Sequence, residues 1–118
     1  MESSGAGGLN GAEAEQRAEA YLRSRNLVLL QRNYRCRFGE IDLIMRDGAA
    51  VVFVEVRMRT RLDYGCAAES ITLTKQQKLI QTAKHYISLL NREPPCRFDA
   101  VLLSGGNKIE WIRDAFTL

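Results

Sequence analysis

The sequence predicts an α/β domain with its elements in the order αβββαββ, and three observations predict it. Apolar residues recur at helical spacing in two separate stretches, 14–22 and 79–90. Short runs rich in β-branched residues lie between and after them. Asp47-Gly48 marks a tight turn between two of those runs. At 118 residues the chain has room for one self-sufficient core, and 46% hydrophobic with 26% charged residues is a globular composition.

Residues 1–10 are expected to be a flexible tail and 11–118 the single domain. Asn10, with Glu13 three residues on, caps a first helix that runs to Arg25. On its helical wheel Ala14, Ala18, Tyr21 and Leu22 share a stripe with Glu15 at the border, while Glu13 and Glu19 fall well outside. Only Glu15 is therefore expected to reach inward. Three strands follow at 27–34, 41–46 and 51–57, the last two as an antiparallel hairpin, and 58–70 reads as a loop. Thr74 with Gln77 caps a second helix whose apolar positions are Leu79, Ile80, Ala83, Tyr86, Ile87 and Leu90. Pro94-Pro95 stops it, 98–103 is a fourth strand, Gly105-Gly106 turns, and 109–112 is a fifth.

Several function classes are excluded by what is missing. No apolar run approaches the ~20 residues of a membrane-spanning helix, and residues 1–8 lack the pattern of a secretory signal, so a cytoplasmic protein is expected. Cys36, Cys66 and Cys96 match neither a disulfide framework nor a zinc pattern. His85, the single histidine, has no ligand or triad spacing and reads as a surface or packing residue. Without a Gly-rich phosphate loop or dinucleotide fingerprint, no nucleotide cofactor is expected. Monomer and homodimer both remain open.

The hairpin carries the chemistry. Along 51–57 Val52, Val54 and Val56 point one way and Phe53, Glu55 and Arg57 the other; on the partner strand Ile41, Leu43 and Met45 oppose Asp42, Ile44 and Arg46. A two-residue turn at Asp47-Gly48 makes Asp42 diagonal to Glu55, and a loop of Asp47 to Ala50 makes it directly opposite. Either register sets two like charges on one face, which is unfavourable unless something positive lies between them. A divalent ion would serve, since carboxylates suit Mg²⁺ or Mn²⁺. Ion pairs with Arg35, Arg37, Arg57 or Arg59 would serve equally, and spacing does not separate the two readings.

A resemblance separates them. Ala14-Glu15-x-x-Ala18-x-x-Tyr21-Leu22, Arg32-Asn33-Tyr34-Arg35, Gly39-Glu40-Ile41-Asp42-Leu43-Ile44 and Val52-Phe53-Val54-Glu55-Val56-Arg57 resemble the bacterial YraN family. The match continues through Tyr64-Gly65, the Lys75 to Tyr86 helix, Cys96-Arg97-Phe98-Asp99 and Ala115-Phe116. That family is similar to the restriction-endonuclease-like, PD-(D/E)XK, superfamily. The resemblance implies a central mixed five-stranded sheet flanked by helices, and a metal-dependent endonuclease acting on DNA or RNA. It implies Asp42, Glu55 and Arg57 as the catalytic set, with Glu15, Asp42 and Glu55 holding Mg²⁺ or Mn²⁺. One position departs, because the pattern has Lys two residues after the Glu and this chain has Arg57. Arginine stays protonated, so it can stabilise charge but cannot act as a base. The alternative is a nucleic-acid-binding module that kept the fold and lost turnover.

Net charge is +3, and nine arginines lie from Arg23 to Arg61 against Glu40, Asp42, Asp47 and Glu55. Expected nucleic-acid contacts are Arg35, Arg37, Arg59 and Arg61, the loop aromatic Tyr64, and Lys75 and Lys78 on the second helix.

Overall fold

The computed structural model describes residues 11–58, 71–105 and 108–116; the predicted tail and nearly all of the predicted 58–70 loop lie outside that set. The elements follow the predicted order: helix α1 (Gly11–Ser24), strands β1 (Val28–Cys36), β2 (Gly39–Asp47) and β3 (Ala50–Met58), helix α2 (Leu73–Ser88), then β4 (Cys96–Ser104) and β5 (Lys108–Phe116). All five strands form one sheet in the order β1-β2-β3-β4-β5, antiparallel except for the parallel β3–β4 pair. This is the mixed sheet between helices expected of a restriction-endonuclease-like domain. The parallel pair requires a crossover connection, and α2 lies in it.

Each sheet face has its own core. Ala14, Ala18 and Leu22 of α1 pack with Leu43, Met45, Val52, Val54, Val101 and Leu103. Leu79 and Ala83 of α2 pack on the opposite face with Ile44, Val51, Phe53, Phe98, Ala100 and Leu102. A strand covered on both faces reads as an unbroken apolar run. That explains why Val51 through Glu55 on β3, the middle strand, are all buried.

Four local readings are corrected. Glu19, expected outside the inward stripe of α1, is buried, because Arg32 of β1 closes over it with two bonds of 2.7 and 3.0 Å and Arg23 adds a third contact at 3.0 Å. Helix α2 begins earlier than predicted: Thr72, not Thr74, is its N-cap and accepts from the Lys75 N–H at 3.1 Å. Strand β5 extends well beyond 109–112, since residues past a bulge opposite Asp99 resume pairing at Phe98↔Phe116. Strict alternation on β2 fails at its start, where Ile41 joins Ile44 in the α2-side core while Leu43 faces α1.

That last break has a matching one on β1. Asn33 has φ +49 and lies between the paired Arg32↔Leu43 and Tyr34↔Ile41. Arg32 and Asn33 therefore both reach side chains of α1, and Tyr34 turns to the α2-side core. The β1–β2 connection is held against α2 at Gly39, whose φ is +152 and where a Cβ would come within 3.1 Å of Thr82 Oγ1. Gly39→Ala is expected to cost about 1–3 kcal/mol through this strain and crowding. A urea unfolding midpoint unchanged by that substitution would contradict the account.

Candidate metal centre

The hairpin adopts the register of the longer, Asp47 to Ala50 loop, in which Asp42 and Glu55 each lie just beyond the last backbone pair, Leu43↔Val54. Arg46 pairs with Val51 and Leu43 with Val54, around a connection at Gly48 and Ala49 with Gly48 at φ +61. Past the last pair a side chain replaces the backbone: Asp42 Oδ2 accepts the Val56 N–H at 2.9 Å. The break in alternation at Asn33 and Asp42 leaves this carboxyl close enough to Glu15 of α1 for that acid to act on it. Glu15 in turn accepts from Asn33 Nδ2 at 2.9 Å.

The three predicted acids are thus brought together from α1, β2 and β3, and the charge balance among them is strained. Burial, then the negative charge of Glu55, and then Glu15 together push the Asp42 carboxyl up to about 7. The Val56 N–H pulls the other way without winning. Asp42 therefore keeps its proton to a higher pH than an exposed aspartate does.

Glu55 is buried, and its Oε2 lies 3.1 Å from Lys75 Nζ in the first turn of α2. This differs from both sequence readings of the pair, which offered Glu55 a metal or an arginine. Lys75 had been expected on nucleic acid; the register of a helix packed across the sheet, set by the Thr72 cap, instead points it at Glu55. Arg57 is half-buried on β3 and forms no ion pair with a described carboxylate. Arg35 is exposed and pairs with Glu40 at 3.1 Å; Arg37 lies over the Phe38 ring at 4.8 Å; Lys78 is exposed beside Gly39. Arg59, Arg61 and Tyr64 lie outside the described residues.

The donor set fits a hard divalent ion in its chemistry: three carboxylates, one of them raised by burial first and by its neighbours' charge second. Among the described residues no three His, Cys, Asp or Glu groups form a ready cage. Each acid is occupied, Glu15 by Asn33, Asp42 by Val56 N–H and Glu55 by Lys75. A full cage is not required, because Mg²⁺ is usually held by one or two carboxylates with waters and substrate phosphates completing its shell.

Other side chains raised by the sequence have structural partners. The Tyr34 hydroxyl bonds His85 Nδ1, which makes His85 a packing residue beside Phe38. Trp111 stands edge-on to Tyr21 at 6.3 Å and donates to Asp99 at 2.9 Å, so its indole supports the core. Cys36 and Cys96 are free thiols. No described helix is long and apolar enough to cross a membrane.

Comparison with known proteins places this chain in one family. The model of "Uncharacterised protein family UPF0102" matches residues 14–103, which span α1 through β4 and include all three acids. A UPF0102 protein of Nitrosospira multiformis is 64% identical over 110 residues, covering 92% of each chain. One from Nitrosomonas europaea is 60% identical over 111 residues, covering 92% of this chain and 94% of that protein. A Methylobacillus flagellatus relative is 56% identical over 109 residues, covering 91% and 96%. The chain belongs to the UPF0102 family, the YraN family.

Proposed function

We propose that this protein is a divalent-metal-dependent phosphodiesterase acting on nucleic acid, with Asp42 and Glu55 as principal ligands of Mg²⁺ or Mn²⁺ and Glu15 as their helper. The observation that carries the reading is the convergence of Glu55 and Glu15 on the buried Asp42 carboxyl, which burial first and their charge second raise to about 7. A buried carboxyl that two neighbouring anions crowd further is one that a dication would stabilise. When bound, such an ion lowers the pKa of a coordinated water and offsets charge developing on a phosphoryl group. The chain's own residues hold the site: Asn33 orients Glu15, and Val56 N–H fixes Asp42. Exposed Arg35 and Lys78 lie near the β1–β2 connection, where they can contact phosphates.

Arginine at 57 favours a second reading, a nucleic-acid-binding module of the same fold with weak or no turnover. Incubation with Mn²⁺ and branched or single-stranded substrates separates the two.

Metal binding has a test that needs no substrate. Wild type is expected to gain about 2–3 kcal/mol at Mn²⁺ a hundredfold above Kd. Glu55→Gln should gain none, yet fold as well as wild type, because Lys75 is exposed enough to take up water and Asp42 loses a repulsive neighbour. Equal Mn²⁺-induced shifts in Tm for both proteins would remove Glu55 from the site.

A further inference from the structure

Among the described residues Lys75 is the one cation within ion-pair distance of Glu55, and it comes from neither the hairpin nor position 57. Its backbone is fixed in the first turn of α2, where its own N–H is taken by the Thr72 cap. Its ammonium is a different matter: 45% of the side chain is exposed, against 8% for Glu55. The acid is therefore immobile and its counter-ion can leave. A lysine is a compact charge on a flexible stem, and a half-exposed ion pair is weak enough to exchange.

We propose that Lys75 is the exchangeable cation of this site: it neutralises Glu55 in the metal-free protein, yields the carboxylate to a divalent ion, and then contacts a phosphate of the bound nucleic acid. The inference rests on the metal reading of Asp42 and Glu55. It supplies the mobile positive charge that Arg57, a bulky group on the rigid middle strand, does not. Charge balances at each stage. Without metal, the ammonium offsets one carboxylate; with metal, the dication offsets the acids and repels the ammonium toward the nearest anion, which in a complex is phosphate.

Two measurements test it, neither of them activity. The first is the affinity for Mn²⁺ alone, by calorimetry, of wild type, Lys75→Met, Lys75→Arg and Arg57→Met. Removing the internal competitor should tighten Mn²⁺ binding roughly three- to tenfold in Lys75→Met. Lys75→Arg and Arg57→Met should stay close to wild type. If wild type binds no Mn²⁺, the metal reading and this inference fall together. If wild type binds and Lys75→Met binds no tighter, the metal reading stands and the exchange is overturned.

The second is binding of a fluorescein-labelled single-stranded oligonucleotide in Ca²⁺ across a salt series. Lys75→Met should bind more weakly, with a log–log salt slope shallower by about 0.7, the value of one lost phosphate contact on a single strand. An unchanged slope would overturn the phosphate role, and absence of wild-type binding would overturn both that role and nucleic acid as the partner.

Discussion

Asp99→Ala is expected to destabilise the protein by about 3–5 kcal/mol, a large share of the 5–15 kcal/mol that holds a domain together. Asp99 is fully buried on β4 and accepts from four groups: Arg97 Nε at 3.0 Å, Arg97 NH2 at 3.2 Å, Trp111 Nε1 at 2.9 Å and the Asp114 N–H at 2.9 Å. The Asp114 contact repairs the sheet. Between Phe98↔Phe116 and Ala100↔Ile112 the β4–β5 register shifts, and Asp114, at φ +55, turns its N–H to the carboxylate instead of a strand carbonyl. Alanine would leave a half-buried guanidinium, an indole N–H and a backbone N–H without their acceptor. Arg97 keeps only Asp47, at 2.9 Å. Asp99→Asn, which retains an acceptor and loses the charge, should cost less. Thermal melts check this, since the loss corresponds to roughly 10–20 °C for a domain of this size. A Tm for Asp99→Ala within a few degrees of wild type would show that water satisfies these groups.

The same device, an aspartate completing an interrupted ladder, places Asp42 against Val56 N–H, and it marks where sequence reasoning stops. The helices, the hairpin and the apolar stripes were legible because each is set by local periodicity or turn chemistry: Ala14, Ala18 and Leu22 on α1, and Asp47-Gly48 in the turn. Strand alternation put Asp42 and Glu55 on one face, because it limits where two acids on adjacent strands can go, but it did not foresee the break on β2 at Asp42. The left-handed Asn33 was not legible, since any residue on a strand is read as extended until its neighbours show otherwise. Glu19 illustrates a further limit: a helical wheel assigns it to solvent, but the arginine that covers it arrives from β1, thirteen residues away. Lys75 fails for a related reason. Thr72-x-x-Lys75 lacks the Gln or Glu of a capping box, so Thr74 with Gln77 looked the better start, and local sequence does not tell which strand the first turn of α2 meets.

Wild type is expected to lose stability as pH rises from 5 to 8, and Asp42→Asn to abolish that loss. In the folded protein the Asp42 carboxyl titrates at about 7, against 3.8 for the ordinary group. Between those values the folded state holds a proton that the unfolded state has released, so unfolding free energy falls with rising pH. Below the lower value both states are protonated and there is no penalty; above about 7 the full cost is present, on the order of 4 kcal/mol for a shift of this size. The cause is burial first and the Glu55 charge second. Asparagine keeps an oxygen for Val56 N–H and cannot ionise, so its profile should be flat from pH 5 to 8 and its Tm at pH 8 higher than wild type. Parallel Tm profiles for the two proteins would place the strain elsewhere. Mn²⁺ sharpens the comparison, because an ion at Asp42 and Glu55 favours the ionised carboxyl and should restore wild-type stability most at pH 8, where Asp42 is already deprotonated. Asp42→Asn, with no charge to neutralise, should respond little at any pH. A protein whose acids served only the fold would gain nothing from the mismatch at pH 8; a protein that binds a dication there accepts that instability in exchange for a ready anion site.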